Sequence, residues 1–157
     1  MITIRRAQAD DRLTILSIIE QTTFFRPDEL VVAAEVFDDA VSQGPAGDYQ
    51  SFVAVSTTRP VGWICYGPTP CTVGTFDIYW IVVAPHQQKK GIGSQLIQFA
   101  CNAIKENNGR LAVIETSSTE RYRPTQQFYE KTGFGKAAQV KDFYTQGDDK
   151  IIYIKQV

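Results

Sequence analysis

The sequence predicts a mixed α/β fold in which helices cover both faces of one sheet. Strand-like and helix-like segments alternate along the chain. The most apolar run, from Ile78 to Ala84, is short and rich in β-branched and aromatic residues, whereas the segment from Gly91 to about Asn107 carries its apolar residues along one helical stripe. A chain of 157 residues, 43% of them hydrophobic, can bury a sizeable core, so we expect one domain over residues 1–157.

The N-terminal part predicts one strand followed by two helices. Ile2 to Arg6 alternates between apolar and polar residues, as a strand does. Asp10 or Asp11 is suited to cap a first helix that runs to Gln21, and Pro27 is suited to the first turn of a second. The positions expected to face the core are Leu13, Leu16 and Ile19, then Ile15 and Ile18, in the first helix, and Leu30, Val31, Ala34, Val36, Phe37 and Val41 in the second.

The rest of the chain predicts six more strands and two more helices. The expected strands are 51–56, 61–66, 75–83, 110–115, 134–143 and 150–155, and the expected helices are 91–107 and 124–132. Gly67 to Pro70 is expected to form a loop, because this stretch is stiff and poor in residues that continue a ladder.

Charge and cysteine content exclude several classes of function. With 16 basic and 17 acidic side chains, the chain offers no broad basic surface, and no nucleic-acid partner is expected. The three cysteines form neither the close pairs of a zinc site nor a disulfide scaffold, so we expect no metal and a reducing, cytoplasmic location. The first residues lack the features of a signal peptide, and no apolar run is long enough to cross a bilayer, so no membrane association is expected.

One segment carries the clearest chemical signal. From Ile81 to Gly93 an apolar strand leads through a polar turn into an amphipathic helix. The free N–H groups and the positive dipole end of such a helix start bind a pyrophosphate well. Gly91 and Gly93 permit close backbone approach, although two such glycines alone also fit a simple turn. The spacing matches neither the loop of nucleoside triphosphatases nor the dinucleotide fingerprint.

Two segments resemble motifs of the GNAT family of N-acetyltransferases. Gln88-Lys89-Lys90-Gly91-Ile92-Gly93 resembles the family's Q/R-x-x-G-x-G/A motif for acetyl-CoA, and residues 127–134 are similar to its F-Y-E-K-x-G-F signature. The order of elements fits the family from Ile2 to Ile154, but specific motifs occur only between Asp77 and Phe134. The resemblance implies a mostly antiparallel sheet of six to seven strands, about four helices and a splayed central strand pair. It also implies acetyl transfer from acetyl-CoA to a primary amine.

The resemblance also implies where acetyl-CoA would bind. The backbone of Ile81, Val82 and Val83 would pair with the pantetheine arm, in a slot opened between the strands that end at Val83 and Glu115. The pyrophosphate would be held by the segment Gln88, Lys89, Lys90, Gly91, Ile92, Gly93 and Ser94. Residues 116–123 depart from the asparagine-containing loop of the family, and Thr125 is a candidate to replace its cofactor contact.

For catalysis the resemblance implies that Tyr129 is the acid that reaches the CoA sulfur, since a phenol is a neutral donor at pH 7. Asp77 and Glu115 both match positions of family bases. Glu115 is preferred because it ends an apolar strand, where loss of solvent would raise its pKa unless a partner compensates, although the same argument serves Asp77. Either carboxylate could instead be structural, with the base acting through water.

The acceptor is expected to be a small-molecule amine, for example an amino acid such as D-alanine. Tyr66, Tyr79 and Trp80 are candidates to line its site, and Arg121 and Arg123 are candidates to bind an acceptor carboxylate. Three alternatives stay open: a peptide N-acetyltransferase, an acyl-CoA-binding regulatory module without turnover, and a helper subunit. A homodimer formed through the last strands is also considered, since this is frequent among similar proteins.

Overall fold

The computed structural model describes all residues from Met1 to Val157 and contains seven strands and four helices. The strands are β1 (Ile2–Arg6), β2 (Gln50–Ser56), β3 (Arg59–Pro68), β4 (Thr75–Val83), β5 (Leu111–Ser117), β6 (Gly135–Thr145) and β7 (Asp148–Gln156). The helices are α1 (Arg12–Gln21), α2 (Pro27–Gln43), α3 (Ile92–Glu106) and α4 (Arg123–Lys131). None of the helices is long and apolar enough to cross a membrane.

All seven strands form one sheet in the order β1-β2-β3-β4-β5-β7-β6. Every neighbouring pair is antiparallel except β4 and β5, which run parallel and are joined by a crossover through α3. One apolar core contains α1 and α2 side chains, and another contains α3 together with Tyr129 of α4. The predicted mixed, mostly antiparallel α/β fold is thereby confirmed.

The faces of α1 and α2 differ in part from the predicted ones. In α1 the buried residues are Ile15, Ile18 and Ile19, while Leu13 is 77% exposed because it lies two positions before this stripe and points away from it. In α2 the buried stripe consists of Ala33, Phe37 and Ala40. Val31, which was expected to be buried, is 58% exposed because it lies two positions before Ala33 and therefore on the opposite side of the helix.

Asp11 occupies the N-cap position of α1, one of the two predicted, but its side chain makes no capping hydrogen bond to the helix. A short 3-10 turn, Ala9–Asp11, precedes the helix, and the buried Asp11 carboxylate accepts hydrogen bonds from the Arg5 guanidinium at 2.7 Å and the Gln8 N–H at 2.8 Å. Burial alone would raise the pKa of Asp11, but these donors outweigh it and hold the pKa below its ordinary value. Asp11 therefore ties β1 to the start of α1.

The segment Gly67 to Pro70 was predicted to be a loop, but β3 continues to Pro68. The last pair between β2 and β3 is Gln50 with Tyr66, so beyond this point β3 has an open side, where a proline is tolerated. Gly67 is needed there because a Cβ at this position would lie 2.0 Å from the carbonyl oxygen of Asp48.

The central strands β4 and β5 separate after three paired residues. Thr75, Phe76 and Asp77 pair with β5, whereas 78–83 have no partner on that side. On its other side β4 pairs with β3, but the register shifts so that Tyr79 is an extra residue. Such a bulge increases local twist and turns β4 away from β5. The predicted splay between the central strands is confirmed.

Burial distinguishes the three cysteines and predicts their reactivity. Cys65 and Cys101 are buried, and burial raises the pKa of Cys65 to about 12, whereas Cys71 is exposed. With a thiol reagent at pH 8 we expect one thiol to react rapidly in the native protein and all three to react in denaturant, because the reaction requires an accessible thiolate. A matched Cys71→Ser variant should show no rapid reaction, and rapid labelling of that variant would contradict the packing.

Candidate active site

A cavity of about 1180 Å³ opens where β4 and β5 diverge. Its walls come from β4, the start of α3, the end of β5, the loop before α4 and α4 itself, the connection between α1 and α2, and the β6–β7 hairpin. The cavity therefore gathers residues that are far apart in the sequence around the one place where the sheet is incomplete.

One wall is the unpaired side of β4. Ile81, Val82 and Val83 line the cavity, and beyond Asp77 the backbone on this side has no neighbouring strand. Backbone N–H and C=O groups that lack a partner bind other groups readily, and an extended ligand with amide groups can pair with them as an added strand would. This wall thus suits a ligand that is long, narrow and rich in amides.

The next wall is a turn that presents free backbone donors. None of the six N–H groups from Lys89 to Ser94 has an acceptor within the chain. The turn is shaped by two residues in the left-handed region, Lys89 at φ 62° and Gly91 at φ 82°. Consecutive free N–H groups at the start of a helix of 15 residues, together with its dipole, form a site for an anion such as a pyrophosphate.

The predicted cofactor residues converge on this cavity with one exception. Those that line it are Ile81, Val82, Val83, Gln88, Lys89, Gly91, Ile92, Gly93, Ser94, Thr125 and Tyr129. Lys90 does not line it, and its ammonium group donates instead to the side chain of Gln87 at 3.2 Å. The Gln88 amide group donates to the carbonyl of Val83 at 3.1 Å and so joins the turn to the end of β4.

Tyr129 is a buried residue that lines the cavity. Its side chain is only 5% exposed, and its ring packs against Phe128, Phe134 and Tyr153. Its hydroxyl forms no hydrogen bond within the chain, although the residue lines the cavity. Burial, with smaller contributions from nearby tyrosines, raises the pKa of Tyr129, so the hydroxyl stays neutral and able to donate throughout the neutral pH range.

The structure separates the two candidate bases. Glu115 lines the cavity, but its side chain is 49% exposed and forms an ion pair with Lys150 at 2.6 Å. The loss of solvent expected at the end of an apolar strand is therefore absent. Asp77 lies in the paired part of β4, accepts a hydrogen bond from Thr69 at 2.7 Å and does not line the cavity. Of the two carboxylates, the structure brings only Glu115 together with Tyr129.

The α1–α2 connection covers one end of the cavity and is fixed by the loop before α4. The Arg121 guanidinium donates to the carbonyl of Thr23 and lies 4.9 Å from the centre of the Phe24 ring. The Tyr122 hydroxyl donates to the Phe24 carbonyl at 3.0 Å, and the two rings pack at 5.2 Å. Arg121 is therefore already engaged in binding this connection.

Of the other residues expected at the acceptor site, two line the cavity and two do not. Tyr79 and Trp80 line the cavity, as expected. Tyr66 does not, because it is buried beneath α3 and stacks on Phe52. Arg123 also lies outside and pairs with Glu120 at 3.6 Å. No group of three or more His, Cys, Asp or Glu side chains is arranged to hold a metal ion.

Comparison with known proteins agrees with the geometry. The profile of the acetyltransferase (GNAT) domain matches residues 47–136. The chain belongs to the GNAT family of acetyltransferases. A protein from Desulfovibrio desulfuricans assigned to this family shares 41% identity over 99% of both chains, and its crystal structure superposes with a TM-score of 0.95. The expected class of enzyme, an acetyl-CoA-dependent N-acetyltransferase, is thereby confirmed.

Two more distant proteins extend this comparison. An uncharacterized N-acetyltransferase of Schizosaccharomyces pombe is 24% identical over 113 residues, which are 68% of this chain and 72% of that protein. The PaiA N-acetyltransferase of Thermoplasma acidophilum, solved in complex with coenzyme A, is 17% identical and has a TM-score of 0.78, with 100% of this chain and 99% of that chain covered. At this identity the likeness to PaiA is one of fold.

Sequence reasoning missed several residues of this GNAT cavity. They are Phe24, Phe25, Tyr122 and Asp148, from the α1–α2 connection, the loop before α4 and the β6–β7 hairpin. No motif or spacing marks them. They reach the cavity through the docking of connections that lie up to 98 positions apart, as between Tyr122 and Phe24.

The turn at the start of α3 predicts a contrast between its glycines and lysines. A Cβ at Gly93 would lie 3.0 Å from the Phe128 ring, and at Gly91 the left-handed backbone costs other residues roughly 1–2 kcal/mol. We expect Gly91→Ala and Gly93→Ala to weaken CoA binding about ten-fold or more, as measured by calorimetry. Lys90→Ala, whose side chain lies outside the cavity, is the matched control and should bind within about three-fold of the parent. Equal losses in all three variants would contradict backbone binding of the anion.

Proposed function

We propose that this protein transfers the acetyl group of acetyl-CoA to a primary amine of a small molecule, by direct attack within the cavity between β4 and β5. One observation carries the proposal: the unpaired side of β4, the free N–H groups of the α3 turn and the unpartnered Tyr129 hydroxyl all border the same cavity. These are a site for an anion, a site for amides and a proton donor, and acetyl-CoA offers a matching group for each of them in its pyrophosphate, its pantetheine arm and its thioester.

Acetyl-CoA matches these three sites along its length. Its pantetheine arm contains amides that can pair with the backbone of 81–83, and its pyrophosphate suits the N–H groups between Lys89 and Ser94. The relative solved with coenzyme A has the same fold. In this placement the thioester lies beyond the free edge of β4, towards Tyr129.

Direct transfer exchanges one bond for another. The lone pair of a neutral amine attacks the thioester carbonyl carbon, the C–N bond forms, and the C–S bond breaks to release the thiolate of CoA. The Tyr129 hydroxyl is the proposed donor to the sulfur. Its burial supports this role, because a neutral hydroxyl without a competing partner can turn to the sulfur as negative charge develops there.

The proton of the attacking nitrogen must go to an acceptor. Glu115 is the proposed base because it lines the cavity with Tyr129, whereas Asp77 does not. The Lys150 ammonium group at 2.6 Å occupies one carboxylate oxygen of Glu115 and leaves the other free. Glu115 therefore accepts the proton through this second oxygen, directly or through one water.

Two substitutions test these roles. Tyr129→Phe keeps the buried ring and removes the only donor at the sulfur, so kcat should fall roughly 100-fold or more. Glu115→Gln should lower kcat by about ten-fold or more at neutral pH. The measurement is thiol release from acetyl-CoA with a panel of amines, and CoA binding by calorimetry should stay within about three-fold of the parent, since neither substitution removes a backbone contact.

Thr69→Val is the matched control, because it removes the hydrogen bond to Asp77 outside the cavity. Its rate should stay close to that of the parent. Full activity in Tyr129→Phe would remove this residue from the mechanism. Loss of activity in Thr69→Val, with Glu115→Gln fully active, would make Asp77 the base.

A further inference from the structure

The part of the cavity lined by the α1–α2 connection and the start of α2, the end of β5, the loop before α4 and the β6–β7 hairpin, here called the acceptor end, carries several charged side chains. They are the cations Arg26, Arg121 and Lys150 and the anions Asp28, Glu29, Glu115 and Asp148. Asp28 and Lys150 do not line the cavity themselves but pair with residues that do. Two pairs neutralise each other: Arg26 binds Asp28 at 3.0 Å, and Lys150 binds Glu115 at 2.6 Å. Glu29, Asp148 and Arg121 are left without an ionic partner.

Glu29 and Asp148 approach the cavity from different elements and are poorly satisfied. Each is partly buried and lines the cavity. The Glu29 carboxylate accepts one hydrogen bond, from the backbone N–H of Arg26 at 2.7 Å. The Asp148 carboxylate accepts one, from the Ser117 hydroxyl at 2.6 Å. A carboxylate shielded from water attracts a cation strongly. Neither Glu29 nor Asp148 forms an ion pair with a cationic side chain of the protein.

The one unpaired cation at this end is already in use. The Arg121 guanidinium donates to the carbonyl of Thr23 and covers the Phe24 ring, contacts that attach the α1–α2 connection to the loop before α4. Binding the carboxylate of an amino acid would compete with these contacts. The acceptor end therefore offers two available anions and no freely available cation.

Tyrosine rings complete this end of the cavity. Burial raises the pKa of Tyr122, and it raises the pKa of Tyr144 to about 12. The negative charges of Glu29 and Asp148 raise the pKa of each tyrosine further. The two carboxylates thus lie near the same two tyrosines. Carboxylates beside aromatic faces form a favourable site for an alkylammonium group.

The Tyr129 hydroxyl, the proposed donor to the CoA sulfur, borders the same cavity. The side chain of Tyr129 is only 5% exposed and lines the cavity. An acceptor amine that reacts beside this hydroxyl must extend from there into the acceptor end. Any second polar group that it carries then meets Glu29 and Asp148.

We infer that the acceptor is an aliphatic diamine or polyamine, whose neutral amine attacks the thioester while a second, protonated amine binds between Glu29 and Asp148. This inference rests on the proposed function and assigns its substrate class. It replaces the amino-acid acceptor expected from the sequence, because the arginines that would bind an amino acid's carboxylate are engaged elsewhere, Arg121 at Thr23 and Arg123 at Glu120.

The test compares acceptors that differ only in the second charge. We expect kcat/KM for 1,5-diaminopentane to exceed that for pentylamine about ten-fold or more, and D-alanine to be a poor acceptor. Glu29→Gln and Asp148→Asn keep the shape and the hydrogen-bond acceptor, and each should lower the diamine-to-monoamine ratio about ten-fold. The matched control is Glu35→Gln on the exposed side of α2, which should keep the parent ratio.

Each failure has its own meaning. If pentylamine or D-alanine reacts as well as the diamine, or if both variants keep the parent ratio, the diamine inference is overturned while acetyl transfer stands. If no amine releases thiol, the proposed function fails. Calorimetry of 1,5-diaminopentane with the CoA-saturated protein then decides the inference alone: binding that weakens in Glu29→Gln supports the site, and absence of binding overturns it.

Discussion

The separation of β4 from β5 after Asp77 is the constraint on which the rest of this structure depends. A strand in the middle of a sheet normally satisfies its backbone on both sides, but here the residues from Ile78 to Val83 are paired on one side only. The bulge at Tyr79 turns the strand away, and α3 begins where β4 ends. An unpaired strand edge and an unpaired helix start therefore meet in one cavity, where a ligand can pair with both.

The charges that line the cavity support the proposed reaction between an anionic cofactor and a cationic acceptor. The N–H groups of the α3 turn and Lys89 make one end positive, whereas Glu29 and Asp148 make the other end negative. Tyr129 borders the same cavity, held by three aromatic neighbours. Opposite charges at the two ends orient both reactants towards this hydroxyl before any chemistry begins.

Local sequence signals were sufficient to predict the segments proposed to bind the cofactor. The limits of β4 follow from an apolar run, and the turn from Gln88 to Ser94 follows from two glycines and a motif that lie within a few positions of one another. The splay was implied by the resemblance to the family. The acceptor end could not be predicted in this way. Whether Tyr66 or Tyr144 faces the cavity depends on strand register, and the engagement of Arg121 depends on its docking with Thr23, 98 positions away. The ion pair of Glu115 with Lys150 likewise arises only when β5 and β7 are paired.

A crystal structure of the protein with bound CoA tests the central claim most directly. The account predicts that the pantetheine arm pairs with the backbone of Ile81 to Val83 and that the pyrophosphate accepts hydrogen bonds from the N–H groups between Lys89 and Ser94. It also predicts that the sulfur lies within hydrogen-bond distance of the Tyr129 hydroxyl. A CoA molecule bound outside the gap between β4 and β5, or a sulfur remote from Tyr129, would contradict it.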